Sequence, residues 1–484
     1  MWSFQYHEPS TTAALILVSF LYLLNVFGWF AQVLLSCGLL GQIFLGIIYG
    51  TPLAGLLPQS LEESLVGIGY VGLLLIIFEG KCTEHESAVI SQTGGMQSSL
   101  MHLKATLGLS VAVALTGILA PMALSFTLMP MSGAPALHAF AAGSSLASTS
   151  LGTVLGVLAP SVLGFDLRRT MLGATLLSAA IMDDVAAFVI SKVLQVIGAG
   201  AGGAELGRNI GRTLGVTLGI AFAAAVLARW VLKPAYLWLL ARPTLWRGKS
   251  WGGTHLLIAI NAALFTGAVA VAGYAGTSLL YGVYVSGLCI AYMCDSDVSA
   301  DMGTGLPLAE SNAPRLGQPT SEPATTNETS TMAVEEEVSE LSLIDAFDAT
   351  VPPVLNTLLL PIFFGSIGYS IPFIPLWRGT IIWKGIIYAV LMTAGKMVCG
   401  AWIFALHGQK AWRAAVFLGM AMVARGEIGL LISQIALHTP DPLLSDDEFL
   451  IVTWGIILCT IVGPLAVGLL VKRWGKLVLA GGLD

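Results

Sequence analysis

Apolar segments of about twenty residues, separated by short polar breaks, run along most of the chain. A helix of about 20 apolar residues is long enough to cross the hydrocarbon core of a bilayer. The pattern therefore predicts an all-α, multi-pass membrane protein with about thirteen transmembrane helices. The predicted spans are 11–30, 36–50, 64–80, 102–128, 137–160, 170–198, 210–240, 254–272, 277–294, 352–370, 380–407, 412–436 and 448–471. The second span is short, so it could fuse with its neighbour and leave twelve.

The composition agrees with a membrane protein and excludes several other classes. Of the 484 residues, 56% are hydrophobic and 10% are charged, whereas soluble domains carry about 25% charged residues. No basic patch suggests a nucleic-acid partner. The six cysteines form no CxxC motif, so neither a metal cluster nor a disulfide framework is indicated. We expect no cofactor, and the lipid bilayer as the surroundings; the sequence does not distinguish the plasma membrane from an endomembrane.

Lysine and arginine are concentrated in the loops on one side of the predicted helices. Because cytoplasmic loops carry an excess of these residues, that side is predicted to be cytoplasmic. With thirteen spans, the N-terminus is then outside and the C-terminus inside. The residues that define this side include Lys81, Arg168, Arg169, Arg242, Arg247, Lys249, Lys410, Arg413 and Lys472.

One long polar stretch, 295–350, is rich in Ser, Thr, Pro and Glu. Such a composition cannot bury a core, so it predicts a disordered cytoplasmic loop. The loop divides the membrane domain into 1–294 and 351–472, and 473–484 is predicted to be a short cytoplasmic tail.

A weak internal repeat links the third and tenth predicted spans. Residues 74–80, LLIIFEG, are similar to residues 359–365, LLPIFFG. With thirteen spans these two segments run in opposite directions. They suggest two inverted repeats joined by the seventh span, an arrangement typical of secondary transporters.

Two adjacent carboxylates, Asp183 and Asp184, lie in the middle of the sixth span. A charged carboxylate at the bilayer centre costs at least about 2.5 kcal/mol, so such residues are rare and usually functional. We interpret the pair as an ion or proton site. The alternative is that both carboxylates are structural and are held neutral or salt-bridged between helices.

The fifth span contains Ser148, Thr149 and Ser150 at its centre, with glycines on both sides. Serine and threonine compete for backbone hydrogen bonds, and glycine weakens a helix. A helix interrupted at the midplane would expose carbonyl groups and half-helix ends that can bind an ion. The alternative is a continuous helix that uses its small residues for close packing.

Two further spans carry charges near their centres. Lys396 lies near the middle of the eleventh span, where a lone ammonium requires a carboxylate partner; the pair at 183–184 is the natural candidate. The twelfth span centres on Arg425-Gly426-Glu427 and is predicted to be a second discontinuous helix. We expect Arg425 and Glu427 to support the core, by capping half-helix ends or by pairing across it, and not to contact the ion.

Taken together, these motifs resemble cation/proton antiporters of the CPA2 branch. Residues 180–185, AIMDDV, resemble the double-aspartate motif of that family, and 419–432, GMAMVARGEIGLLI, resembles its penultimate helix. Lys396 lies where the family has a core lysine. Two shorter similarities are 41–46, GQIFLG, and 361–364, PIFF. The resemblance implies a core domain made of spans 4–6 and 11–13, a dimerisation domain made of the other spans, a homodimer, and elevator-type alternating access.

The hypothesis from the sequence is therefore a secondary-active Na⁺/H⁺ antiporter and not an enzyme. Asp184 would be the direct ligand and proton carrier, Thr149 and Ser150 would supply further oxygen ligands, and Asp183 would pair with Lys396 when no cation is bound. Two titrating carboxylates suggest electrogenic exchange.

Three alternatives remain open from the sequence. They are K⁺/H⁺ exchange, with Li⁺ as a further candidate ion; a sodium-coupled organic-anion symporter of similar architecture; and an intramembrane aspartyl protease. The protease is disfavoured because its two aspartates would lie on different helices.

Overall fold

A computed structural model describes residues 8, 10–35, 37–89, 98–150, 170–200, 202–240, 253–294 and 343–474. For residues 80–89 and 98–107 only the backbone is described, and nothing is described of the side chains of residues 240, 253, 254 and 345.

The first part of the chain forms helices of very different lengths, because glycine, proline and polar residues interrupt the apolar runs. They are α1 (Thr11–Leu35), α2 (Gly38–Tyr49), α3 (Gln59–Val89), α4 (Ser98–Ser125), α5 (Leu128–Ser132), α6 (Ala136–Ser145), α7 (Met171–Ile197), α8 (Gly203–Leu227), α9 (Lys233–Leu240), α10 (Gly253–Ala275) and α11 (Leu279–Cys294). A π-helical turn, Ala228–Leu232, joins α8 to α9 without a break.

The second part of the described chain begins at Leu343 and contains more short helices. They are α12 (Leu343–Asp348), α13 (Val351–Val354), α14 (Leu360–Tyr369), α15 (Phe373–Leu376), α16 (Gly379–Met397), α17 (Gly400–His407), α18 (Trp412–Ala421), α19 (Glu427–Leu437) and α20 (Asp446–Trp474). A π-helical turn, Leu355–Leu359, connects α13 to α14.

Within the described part of the chain, nine segments are long and apolar enough to cross a membrane, and three shorter apolar helices accompany them. Each of the thirteen predicted spans overlaps at least one helix. The prediction of an all-α, multi-pass membrane protein is confirmed, while the number of thirteen crossings stays a prediction. The second half of the fifth predicted span lies outside the described residues.

The end of the predicted disordered loop needs a correction. Most of 295–350 lies outside the described residues, but its last residues form α12. Leu343, Ile344 and Phe347 are buried, and the Phe347 ring packs edge-on against Phe78 of α3. This apolar cluster gives the segment enough buried surface to fold. The helix does not stand out in the sequence because acidic residues surround it.

One group of helices packs through glycine contacts. At Gly46 of α2, a Cβ atom would lie 2.0 Å from the carbonyl oxygen of Gly365 in α14, and at Gly69 of α3 it would lie 2.7 Å from the Cα of Phe363. Only glycine permits this close approach of helix backbones. The repeat segments around 74–80 and 359–365 therefore lie on helices that pack against each other.

A second group of helices surrounds the two aspartates. Helix α7 packs against α4, α6, α18 and α19, while α20 packs against α16, α18 and α19. These helices correspond to the spans that the resemblance assigns to a core domain. That division into two domains remains a proposal.

Candidate ion-binding site

Two interrupted helices meet at the centre of the second helix group. Helix α6 ends at Ser145 and the chain continues without helix to Ser150, while α18 ends at Ala421 and α19 starts at Glu427. The Ser150 amide donates a 2.9 Å hydrogen bond to the Ala424 carbonyl oxygen, which ties the two breaks together. Both predicted spans therefore leave the helical conformation where the sequence predicts, and the two non-helical segments contact each other.

Glycine makes this contact possible. A Cβ atom on Gly426 would lie 2.6 Å from both Cβ and Oγ of Ser150, closer than side-chain atoms approach. On the other side, a Cβ on Gly463 of α20 would lie 2.7 Å from the Ala424 amide nitrogen. Residues 424–426 thus lie in a slot between the first break and α20.

Arg425 links the non-helical segment between α18 and α19 to the one that follows α6. Its side chain is completely buried, and its Nη1 donates to the carbonyl oxygens of Ala147, at 3.3 Å, and Ser148, at 2.7 Å. Carbonyl groups at a helix end lack intrahelical partners, so the guanidinium stabilises the end of α6. The Thr460 hydroxyl donates to the Arg425 carbonyl oxygen at 3.0 Å and fixes the break to α20.

Glu427 does not pair with Arg425; the two side chains form no ion pair or hydrogen bond in the described structure. Glu427 is half-buried and is the first residue of α19. A carboxylate at this position interacts favourably with the positive end of the helix dipole. Of the two supporting roles proposed for these residues, capping of the half-helix ends fits the structure.

Asp183, Lys396 and Thr149 form a buried polar triad beside the contact between the two non-helical segments. Lys396 Nζ donates to Asp183 Oδ2 at 2.7 Å and to Thr149 Oγ1 at 2.8 Å, and Thr149 Oγ1 donates to Asp183 Oδ2 at 2.8 Å. The side chains of Asp183 and Lys396 are both 0% exposed. The structure contains the Asp183–Lys396 pair that the sequence predicts.

Asp184 has different surroundings from its neighbour. Successive residues of a helix point about 100° apart, so the two carboxylates of α7 cannot share one environment. Asp183 is 1% exposed, whereas Asp184 is half-buried and follows Met182, which is 37% exposed. The more accessible carboxylate is thus the one assigned to ion binding from the sequence, and the less accessible one is paired.

The predicted ligand Ser150 lies where the first break touches the second. It is 7% exposed, and its amide is used in the bond to Ala424. Thr149 is already engaged by Asp183 and Lys396. Hard oxygen donors of this kind are what Na⁺ requires.

Two further polar groups were not singled out from the sequence. Lys233, at the start of α9, is 0% exposed and donates to the Tyr292 carbonyl oxygen at 3.3 Å. His138 Nδ1 lies 2.7 Å from Glu448 Oε2 and connects the start of α6 to α20. A lysine within the long seventh span was a visible signal for the first; no sequence pattern indicated the second.

Comparisons with known proteins bear on the fold and the family. A family model described as "Sodium/hydrogen exchanger, transmembrane" matches residues 16–304 and 329–473. The chain is 23% identical over 426 residues to the Na(+)/H(+)-K(+) antiporter GerN of Bacillus cereus, covering 88% of this chain and 87% of that protein. The structure resembles that of the sodium proton antiporter MjNhaP1 from Methanocaldococcus jannaschii at pH 8, with a TM-score of 0.53, 16% identity, and coverage of 97% of this chain and 99% of the other.

Proposed function

This chain belongs to the sodium/hydrogen exchanger family and is a monovalent cation/proton antiporter, and we propose that Na⁺ and H⁺ compete for the carboxylates of Asp183 and Asp184. The family consists of transporters, so the intramembrane protease considered from the sequence has no support. The organic-anion symporter is likewise not favoured.

The observation that carries the proposal is the position of the Lys396 ammonium. Its Nζ lies 2.7 Å from Asp183 Oδ2 and 2.8 Å from Thr149 Oγ1. An ammonium in this position neutralises the buried carboxylate when no cation is bound. A cation that attracts Asp183 weakens this pair, so that Lys396 and the transported ion compete for one oxygen.

Asp184 is the proposed direct ligand and proton carrier. It is the more exposed of the two carboxylates, so we expect it to exchange a proton or a cation while Asp183 remains buried and paired with Lys396. Thr149 and Ser150 would complete the oxygen ligands from the first break. Protonation of Asp184 removes the charge that attracts the cation, and bound cation excludes the proton; this competition couples the two fluxes.

Two carboxylates serving one monovalent cation suggest that more than one proton is exchanged per cation. Such exchange moves net charge across the membrane and responds to membrane potential. The movement that alternates access would be a displacement of the helix group around α7 against the helices packed around α2, α3 and α14, in a homodimer. The family resemblance implies the dimer and this displacement, and the packing of the chain into two helix groups supports the displacement.

The choice of Na⁺ over K⁺ follows the family description, whereas the name of GerN includes both ions. The test is proton movement in proteoliposomes loaded with a pH-sensitive dye, after equal additions of Na⁺, K⁺ or Li⁺. The proposal predicts the largest response to Na⁺ under a pH gradient. A response to K⁺ alone would make the protein a K⁺/H⁺ antiporter, and no response to any of the three ions would contradict the proposal.

A further inference from the structure

A large apolar cavity lies between α7, α8 and α11, outside the polar triad. Its volume is about 760 Å³, which is within the range of ligand-binding pockets. Helix α7 contributes Ile181, Met182 and Val185, so the cavity reaches the residues that flank the two aspartates. From Tyr281 to Tyr292 it follows α11 over about 16 Å of helix.

Arg229 is the one charged residue among those described as lining this cavity. It is exposed, and among the described residues it has no hydrogen-bond or ion-pair partner. It belongs to the π-helical turn Ala228–Leu232, and π-helical turns are frequent at functional sites. Lys233, one turn further, adds positive charge near the same end, because it donates to the Tyr292 carbonyl oxygen.

The spacing of charges along α8 places Arg229 at the membrane surface. Residues 213–228 contain no charged side chain, and Arg212 and Arg229 are therefore separated by about 25 Å of helix. This distance matches a hydrocarbon layer of about 30 Å when the arginine side chains extend towards the headgroups. Trp230, which is 73% exposed, is typical of the membrane–water interface.

We propose that this cavity binds one acyl chain of an anionic phospholipid, whose phosphate is bound by Arg229. The apolar walls suit a hydrocarbon chain, and the planar guanidinium can donate two parallel hydrogen bonds to a phosphate. Arg229 lies towards the end of α8 that leads to the lysine- and arginine-rich loops. That side is predicted to be cytoplasmic, where anionic lipids are concentrated.

The test is lipid binding to the full-length protein purified in a mild nonionic detergent. Phosphatidylglycerol and phosphatidylcholine with identical chains are compared by native mass spectrometry and by the shift in thermal unfolding temperature. We expect preferential binding of phosphatidylglycerol to the wild type. Arg229→Gln should weaken phosphatidylglycerol binding about tenfold or more and remove the preference, because it loses charge-assisted hydrogen bonds.

Two further variants separate this site from general surface attraction. Arg212→Gln, at the other end of the same apolar segment, should keep the preference. Ala225→Phe introduces a ring on the cavity wall and should weaken binding of both lipids. Any one of four results would overturn the proposal. The wild type could bind both lipids equally, or Arg229→Gln could keep full phosphatidylglycerol binding. Alternatively, Arg212→Gln could lose the preference, or Ala225→Phe could bind both lipids as the wild type does. The measurement does not involve transport, so its result is independent of the proposed exchange mechanism.

Discussion

Replacing Lys396 by methionine would remove the counter-charge of Asp183 while keeping a side chain of similar length. Both side chains of the pair are 0% exposed and their charged atoms are 2.7 Å apart. In Lys396→Met, Thr149 remains as the one hydrogen-bond donor to Asp183 Oδ2 among the described residues, and the buried carboxylate has lost its ion-pair partner. Removing one partner of a buried ion pair typically costs about 3–5 kcal/mol, so we expect a loss of this size in the free energy of unfolding.

The matching single variant and the double variant show whether the two residues act together. Asp183→Asn leaves a buried ammonium and should lose a similar amount. The double variant carries neither charge of this pair, so much of the loss should be recovered, with a coupling energy of roughly 3 kcal/mol. At lower pH the loss in Lys396→Met should shrink, because a protonated carboxyl group needs no counter-charge.

The assay is unfolding of the purified proteins by sodium dodecyl sulfate in mixed micelles, followed by circular dichroism over a pH series. Lys384→Met on the same helix is the control; Lys384 is half-buried and forms no ion pair with a described residue, so its loss should be about 0.5 kcal/mol or less. If the double variant loses as much free energy of unfolding as the two single variants together, then Asp183 and Lys396 do not stabilise each other.

Three shorter predictions concern the contact between the two non-helical segments, the Asp183–Lys396–Thr149 triad and the membrane topology. Gly426→Ala places a Cβ atom 2.6 Å from Ser150, so it should lose about 1–3 kcal/mol of stability together with most exchange. The control Gly215→Ala, where the added Cβ meets no atom within 4 Å, should preserve folding and exchange. Fluorescence-detected size exclusion measures folding and vesicle assays measure exchange, and a fully active Gly426→Ala would contradict the proposed packing of the two non-helical segments. Thr149→Val removes a hydroxyl that is hydrogen-bonded to both Asp183 and Lys396. It should lower the free energy of unfolding by about 1–3 kcal/mol and weaken the apparent cation affinity. Unchanged affinity in dose–response exchange assays would show that Thr149 is not part of the site. A tag inserted near Thr326, which lies outside the described residues, should be hidden from external reagents in intact cells, and surface labelling would reverse the predicted topology.

Hydropathy and charge predicted the elements of this fold well, because a membrane helix must satisfy its backbone internally and bury few charges. For the same reason, Asp183 and Lys396 were recognisable as partners: few other charges lie in the middle of apolar spans. The interruptions near Thr149 and Gly426 were predictable from small and polar residues at span centres.

Details that depend on how helices meet were beyond the sequence. The residues that accept hydrogen bonds from Arg425 are backbone carbonyls of Ala147 and Ser148, and backbone groups leave no residue-type signal. The different burial of Asp183 and Asp184 depends on the rotation of α7 against its neighbours. The short apolar helix α12 is too brief to stand out within a polar stretch.

The central claim is that Asp184 carries both the proton and the cation, and Asp184→Asn tests it most directly. The amide keeps the size of the side chain and a carbonyl oxygen, but it cannot carry charge or release a proton. A neutral group at the midplane is also less costly to bury than a carboxylate, so folding should be preserved. Asp447→Asn, at an exposed carboxylate near Arg378, provides the control for loss of one negative charge.

The measurement is cation-dependent proton movement in proteoliposomes over a series of pH values, with wild type, Asp184→Asn and Asp447→Asn at equal incorporation. The wild type and Asp447→Asn should show exchange whose apparent cation affinity falls as the pH falls, because protons then occupy the carboxylates. Asp184→Asn should show no exchange at any pH. Substantial pH-coupled exchange by Asp184→Asn would show that Asp184 is not the carrier and would contradict the mechanism.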